Sequence, residues 1–419
     1  MAGELAIADA VLLEATKSIQ TSVGASLNGV SKALQAVRRH LNMDVGFVSE
    51  FIGQSRVFRH VDTSLPSAPI HEGQKIALRD GFCLKVVNGE LPQMIPDTAL
   101  VPGAMAIPET TLMPIGAHMS VPIKLSDGSV YGTFCCFSNL PDQSLNERDL
   151  SVMKTVADMI AWQIEANAAD IAKKASASRQ IQSAIAKREP EIVYQPVFRL
   201  ADGAPVGAEA LARFSAEPRQ PPERWFEKAG IAGLRVDLEL AALENAIAGY
   251  EVCWAGNSTS RLCVNVSAAT VIDCDLLTII SPAYCGRMVL EVTGHNSVVD
   301  YDRLEPALSP LRALGLKVAV DDAGLGYGSL SHVLRLRPDI IKLDLGLTRD
   351  IDKDELKRSL AAAVLDHANR IGCEIVAEGI ETPAELAVLT ELGIHMGQGY
   401  LLARPGSIGD VIRHRGLMG

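Results

Sequence analysis

Four short runs decide the fold: RLCVNVS (261–267), RMVLEVT (287–293), LKVAVDD (316–322) and DIIKLD (339–344). Each is an apolar, β-branched stretch, and helical stretches separate them. Outward from these, the theme begins earlier with IVYQPVF (192–198) and VGAEALARF (206–214). It continues later with EIVAEG (374–379) and GQGYLL (397–402). Strands alternating with helices predict an α/β fold with a mostly parallel sheet. About eight such units in about 230 residues suit a closed TIM-like barrel rather than an open sheet.

The polar residues of these runs lie in a pattern. Glu209, Asn265, Glu291, Asp321, Asp322, Lys342, Asp344 and Glu378 all fall within or at the C-terminal ends of the runs. Barrel enzymes carry their chemistry on that rim. Closing the strands into one barrel gathers these groups, and clustered carboxylates repel unless cations sit between them. Oxygen-only donors from Asp, Glu and Asn suit magnesium or manganese rather than zinc. The pattern therefore predicts a two-metal hydrolytic site.

The remaining composition narrows the function. The chain has 419 residues and a net charge of −11, with nearly half its residues apolar. Two or three domains fit this length at about 150 residues each. The acidic balance argues against a surface that grips long nucleic acid by neutralising phosphates. A small phosphorylated ligand held through metals remains compatible with it. The eight cysteines are scattered with no C-x-x-C pair, which predicts small core residues in a reducing compartment. The start, MAGELAIADAVLLEA, has acids where a signal peptide needs positive charge. No apolar run reaches about 18 residues without charges. A cytoplasmic protein without a membrane span is expected.

Ahead of the barrel, residues 1–165 mix helical and strand patterns. Glu4 to Gln20 has helical spacing, MDVGFVSEF and VYGTFCCFS read as strands, and SDGSVYG (126–132) signals a hairpin through Asp127-Gly128. An α+β domain is expected. A stretch without a breaker then runs from about Leu150 to Glu189, before Pro190. Leu150, Met153, Ala157, Ile160, Ile164, Asn167, Ile171, then Ile181 and Ile185 fall on alternating three- and four-residue spacing, with Asn167, Lys174 and Ser178 as polar interruptions. That is a coiled-coil seam for a parallel dimer or an amphipathic face packed on its own domain. Either way a helical linker, residues 166–189, joins the domains, and the closing helix of the first domain begins near 150.

The third segment, 190–419, resembles the EAL family of cyclic di-GMP phosphodiesterases. EALAR (209–213) is the family's name motif. YQPV (194–197), VNVS (264–267), LEVT (290–293), VDDAGLGYGSL (320–330), IKLD (341–344), AEGIET (377–382) and QGYLLARP (398–405) keep the family's order and spacing. The resemblance implies that Glu209, Asn265, Glu291 and Asp321 bind one divalent metal. Asp321, Asp322 and Glu378 bind a second, the pair being magnesium or manganese. Such a pair holds a hydroxide, lowers its pKa and aims it at a phosphodiester phosphorus. Lys342 is implied to steady that water or the transition-state charge, and Glu378 is the implied general base. Glu381 is implied to support the metal shell. Gln195, Arg213 and Asp344 match positions that contact the ligand, Arg213 through phosphate. The implied product is linear pGpG.

Departures from the family pattern sit beside the site. Gly294 replaces the second Glu of Glu-x-Thr-Glu. Ala323, Leu325 and Gly328 replace Phe, Thr and Ser of the loop D-D-F-G-T-G-Y-S-S-L. Losing a carboxylate–hydroxyl brace costs roughly 1.5–3 kcal/mol of loop order. The ligands are all present, so weaker metal binding or lower turnover is expected. The competing reading is an EAL domain that binds cyclic di-GMP as a receptor without cutting it. No GGDEF-like synthetase segment is visible.

The first segment resembles GAF sensory domains through HLNMDVGFVSEF (40–51), GFCLKVVNGELPQMIPDT (81–98) and IGAHMSVPIKLSDGSVYGTFCCFS (115–138). Its ligand is not readable, and a dimer scaffold without a ligand is the alternative. No His follows Cys83, so it is not read as a bilin attachment site. His60 and His71 are expected to be surface or satisfied histidines. The sensor–linker arrangement implies a homodimer through the linker helix and the barrel, with the GAF domain regulating hydrolysis.

Overall fold

The computed structural model describes residues 26–255, 259–293, 300–320 and 335–416. The helix expected at Glu4 to Gln20 and the ligands Asp321 and Asp322 lie outside the described residues. So do the four departures at Gly294, Ala323, Leu325 and Gly328. The chain divides into two compact units, Met1–Lys173 and Lys174–Gly419.

The first unit holds an antiparallel sheet of β1 (Val45–Ile52), β2 (Ser55–Thr63), β3 (Lys75–Ala77), β4 (Met94–Ile95), β5 (Ala117–Lys124) and β6 (Val130–Ser138). Their order is β3-β2-β1-β6-β5-β4. The hairpin expected at Asp127-Gly128 joins β5 to β6, with Gly128 at φ 83° and Leu125 N donating to Ser129 O over 2.9 Å. Alternation along β6 splits the core in two. Phe134 and Cys136 join Leu34, Val37, Met153 and Ile160 on the face covered by helices Ser26–His40 and Glu147–Ala186. Cys135 and Phe137 join Phe47, Phe58 and Phe82 on the other.

The helix Glu147–Ala186 is continuous. It starts after Asn146, whose Oδ1 accepts from Arg148 N over 3.0 Å, and stops before Pro190. Of the seam positions, Leu150, Met153, Ala157 and Ile160 are buried in the core of the first unit. Ile181 is buried in the second unit against Trp225, Ala229 and Leu238. Those positions serve packing within the chain, which is the amphipathic reading. Ile171, between them, is 70% exposed.

The second unit is a closed barrel of β7 (Glu191–Arg199), β8 (Pro205–Arg213), β9 (Arg261–Ser267), β10 (Met288–Thr293), β11 (Lys317–Val320), β12 (Ile340–Leu343), β13 (Glu374–Ala377) and β14 (Met396–Gly397). Strands β8 to β14 run parallel, whereas β7 is antiparallel to both its neighbours, β8 and β14. The first unit of the repeated theme therefore departs from strand–helix–strand. Only residues 200–204 join β7 to β8, and a parallel crossover needs about a dozen residues or more. Outward-facing Val264, Leu290, Val318, Ile341 and Ile375 pack with helix residues such as Leu243, Leu304, Leu365 and Leu389. Inside, Val197, Val289, Ala319, Ile340, Val376 and Met396 close the barrel floor. No described helix is long and apolar enough to cross a membrane.

Candidate functional site

The period of two along a strand builds the site on that floor. Two residues beyond an inward apolar side chain comes another inward one. Val289 is followed by Glu291, Ile340 by Lys342, Val376 by Glu378, Met396 by Gln398, and Cys263 by Asn265. On the antiparallel β7 the step runs backwards, from Val197 to Gln195. In register, Asn265 lies beside Glu291 and Gln195 opposite Glu209. All these groups rise toward the C-terminal mouth of the parallel strands.

Lys342 is the centre of the cluster. It is 3% exposed. Its Nζ donates to Glu291 Oε2 over 2.6 Å and to Glu209 Oε2 over 3.2 Å, and pairs closely with Glu378 Oε1. Gln398 Nε2 donates to Glu209 Oε2 over 2.6 Å and to Glu378 Oε1 over 3.4 Å. Asn265 Nδ2 donates to Glu209 Oε1 over 3.0 Å. Burial pulls the Lys342 ammonium down, but the charges of Glu209, Glu291 and Glu378 outweigh it and hold its pKa well above the ordinary lysine value. Burial pushes Glu209 up, while Lys342 and the amides of Gln398 and Asn265 bring it below the usual carboxylate range.

The donor chemistry fits hard divalent cations. Three carboxylates face one ammonium here, and a buried group of carboxylates calls for cations to balance it. Glu209, Asn265 and Glu291 stand on three adjacent strands and offer only oxygen. Cys263 Sγ donates to Glu291 Oε2 over 3.4 Å. Burial, followed by the Glu291 charge, pushes that thiol well above its ordinary range. Gln398 Oε1 is buried without a hydrogen-bond partner. Among the described residues no three acid, histidine or cysteine groups close into a metal cage. The described carboxylates close on Lys342 instead.

The other expected residues are spread along the rim. Gln195 Nε2 donates to Ala403 O over 3.1 Å. Arg213, at the end of β8, donates to Ala212 O over 2.7 Å. It lines a groove of about 410 Å3 with Phe226, Arg235 and Asn265. Asp344 Oδ1 accepts from Leu347 N over 2.9 Å, capping the short helix Leu345–Thr348. Glu381 is exposed and pairs with Arg349 at 3.3 Å.

Three further residues shape the site. Gln398 bridges Glu209 and Glu378, and alternation from Met396 is the signal that finds it. Glu239 anchors the end of β9. Its Oε2 accepts from Ser267 N over 2.9 Å, Ser267 Oγ over 2.8 Å and Thr270 Oγ1 over 2.5 Å, while Arg235 pairs with Oε1 at 2.8 Å. Glu385 holds the turn after β13, accepting from Glu381 N and Thr382 N over 3.0 and 2.9 Å.

A family model described as the EAL domain matches residues 178–405, a little over half of the chain. A GAF domain model matches residues 30–164. The cyclic di-GMP phosphodiesterase NbdA of Pseudomonas aeruginosa is 32% identical over 236 residues, covering 54% of this chain and 30% of that protein. The cyclic di-GMP phosphodiesterase PA2567 of the same organism is 34% identical over 226 residues, covering 51% of this chain and 38% of that protein. The chain thus spans about a third of the length of these relatives. The solved PaMucR phosphodiesterase in complex with c-di-GMP aligns with a TM-score of 0.51 at 27% identity, covering 56% of this chain and 99% of that one. With the barrel, its polar mouth and these matches together, the chain belongs to the EAL domain family and carries a GAF domain ahead of its barrel.

Proposed function

We propose that this chain hydrolyses cyclic di-GMP to linear pGpG at the mouth of its barrel, under control of its GAF domain. The observation that carries the reading is the convergence of Glu209, Glu291 and Glu378 from separate strands on Lys342, with Asn265 and Gln398 beside them. The names of the relatives and of the PaMucR complex support the substrate.

Glu209, Asn265, Glu291 and Asp321 are proposed to hold one magnesium or manganese ion, and Asp321, Asp322 and Glu378 a second. When bound, the two cations supply Lewis acidity toward water and phosphate. In this scheme Glu378 takes the proton of the attacking water. Lys342 Nζ turns from the carboxylates to an oxygen of the phosphate, where charge develops. Arg213 contacts the second phosphate from the groove it shares with Phe226, while Gln195 and Asp344 orient the guanylate. Glu381 supports the turn carrying Glu378.

The domains are assigned as GAF over 1–165, helical linker over 166–189 and barrel over 190–419. The protein is proposed to act in the cytoplasm as a homodimer through the linker helix and the barrel, with the GAF ligand left open. A second reading, a receptor that binds cyclic di-GMP without cutting it, is favoured by one observation: Lys342 is already saturated by three carboxylates. Chromatography after incubating the full chain with cyclic di-GMP and manganese, beside Glu209→Ala, separates the two. Product that vanishes in the variant supports hydrolysis. Tight binding without product overturns it in favour of the receptor.

A further inference from the structure

The first unit buries a pair of thiols far apart in the chain. Cys83 lies in the short helix Phe82–Val87 and Cys135 in β6. Both are fully buried, and their Sγ atoms are 3.5 Å apart. A disulfide requires about 2.05 Å, so bonding needs the sulfurs to approach by about 1.5 Å in total.

The surroundings are polar. Arg56 Nη1 lies 2.9 Å from Cys83 Sγ, and the same guanidinium pairs with buried Glu109. Ser120 Oγ lies 3.0 Å and Thr133 Oγ1 3.2 Å from Cys135 Sγ. A thiol in an apolar core is inert, whereas one facing a guanidinium is set up as a thiolate. Burial pushes Cys83 up, but the Cys135 hydrogen bond and the Arg56 charge outweigh it, bringing its pKa down to about 5. Cys135 is pushed well above the thiol range, by burial first and then by Cys83. Neighbouring Cys136 faces the opposite core, and burial pushes it up to about 12.

We propose that Cys83 and Cys135 form an oxidisable dithiol, a modification site in which a hydroperoxide oxidises Cys83 and Cys135 resolves it to a disulfide. With hydrogen peroxide, the Cys83 thiolate attacks one oxygen. An S–O bond forms, the O–O bond breaks, and hydroxide leaves to take up a proton from solvent. The Cys135 sulfur then attacks the sulfenic sulfur. The S–S bond forms, the S–O bond breaks, and the departing hydroxide leaves as water with the Cys135 proton. Two thiols and one peroxide become one disulfide and two waters, with two electrons passing from sulfur to peroxide. Arg56 and Phe82 also line a cavity with room for about one water molecule. Peroxide reaches the pair through local opening of the unit, so the reaction is slower than at an exposed thiolate.

The test uses the full chain exposed to hydrogen peroxide, then alkylated under denaturing conditions and mapped by mass spectrometry. The expected result is a cross-link between the Cys83 and Cys135 peptides that dithiothreitol reverses. It is absent in Cys83→Ser and Cys135→Ser and retained in Cys136→Ser. In Cys135→Ser, dimedone labels Cys83. The proposal is overturned if wild-type Cys83 and Cys135 both remain alkylatable while other thiols oxidise, or if Cys83 pairs with a different cysteine. Dimedone labelling of Cys135 in the wild type, with Cys83 still free, also overturns it. The wild-type map decides the matter even where a variant fails to fold.

Discussion

Lys342 Nζ donates to Glu291 Oε2 over 2.6 Å at a point where both side chains are almost fully buried. The same ammonium serves Glu209 and Glu378, so it is the charge that lets three carboxylates share the barrel mouth in the absence of other cations. Lys342→Met leaves those carboxylates without it. Removing one partner of a buried ion pair costs about 3–5 kcal/mol. Urea unfolding of the metal-free variant is expected to show a loss of that order, and added manganese is expected to recover more stability in the variant than in the wild type.

His118 reports on the first unit. It is buried in β5, 4.4 Å from the Phe82 ring between centroids. Burial, helped by the Arg56 charge, brings its pKa down to about 3. The unfolded chain binds this proton first, near pH 6.5. The contribution of His118 is therefore fully present above about pH 6.5 and drains as pH falls toward the folded pKa, by up to about 1.4 kcal/mol per unit. Between pH 7 and 5 the wild type should lose about 2 kcal/mol more than His118→Phe. Unfolding of both proteins at the two pH values, followed through the first unit, measures the difference.

Gly399 controls the site without joining it. A Cβ there would lie 2.2 Å from both Ile380 N and Ile380 O. Gln398, its neighbour, carries the amide that bridges Glu209 and Glu378. In Gly399→Ala the backbone must shift, with an expected stability loss above about 2 kcal/mol. A tenfold or greater fall in cyclic di-GMP turnover is expected, since a shift of about 1 Å at a positioning residue has that effect or more. Thermal unfolding and initial rates check the two parts separately.

Much of this was legible in the sequence because a strand has a strict period. Glu209, Asn265, Glu291, Lys342 and Glu378 each sit at an inward position, so alternation alone gathers them once the barrel closes. Gln398 obeys the same rule from Met396, and the short β14, Met396–Gly397, ends just before it. The antiparallel β7 was hidden because its apolar run looks like its neighbours, and only the short connection 200–204 betrays the hairpin. The spacing of Leu150 to Ile160 fits a dimer seam or a packed face, since both need the same period. Packing against Leu34 and Phe134, from distant parts of the chain, decides which face they serve. The dithiol was unreadable for the same reason: Cys83 and Cys135 meet only through the tertiary fold.

Ile171 tests the proposed dimer. It lies at a seam position in the middle of the helix Glu147–Ala186 and is 70% exposed. Ile171→Glu should change the stability of the chain by no more than about 0.5 kcal/mol. It should also weaken self-association by at least about tenfold, since it puts a charge in the proposed seam. Sedimentation across a concentration series reads this directly, and an unchanged dimer would remove the linker seam from the account.

The central claim is that water cleaves cyclic di-GMP in this barrel. Incubation of the full chain with cyclic di-GMP and manganese in water enriched with heavy oxygen, followed by mass spectrometry of the product, tests it most directly. The account predicts linear pGpG with one heavy oxygen in its terminal phosphate, formed by the wild type and lost in Glu209→Ala. Cyclic di-GMP recovered intact and unlabelled from a protein that binds it tightly would contradict the account.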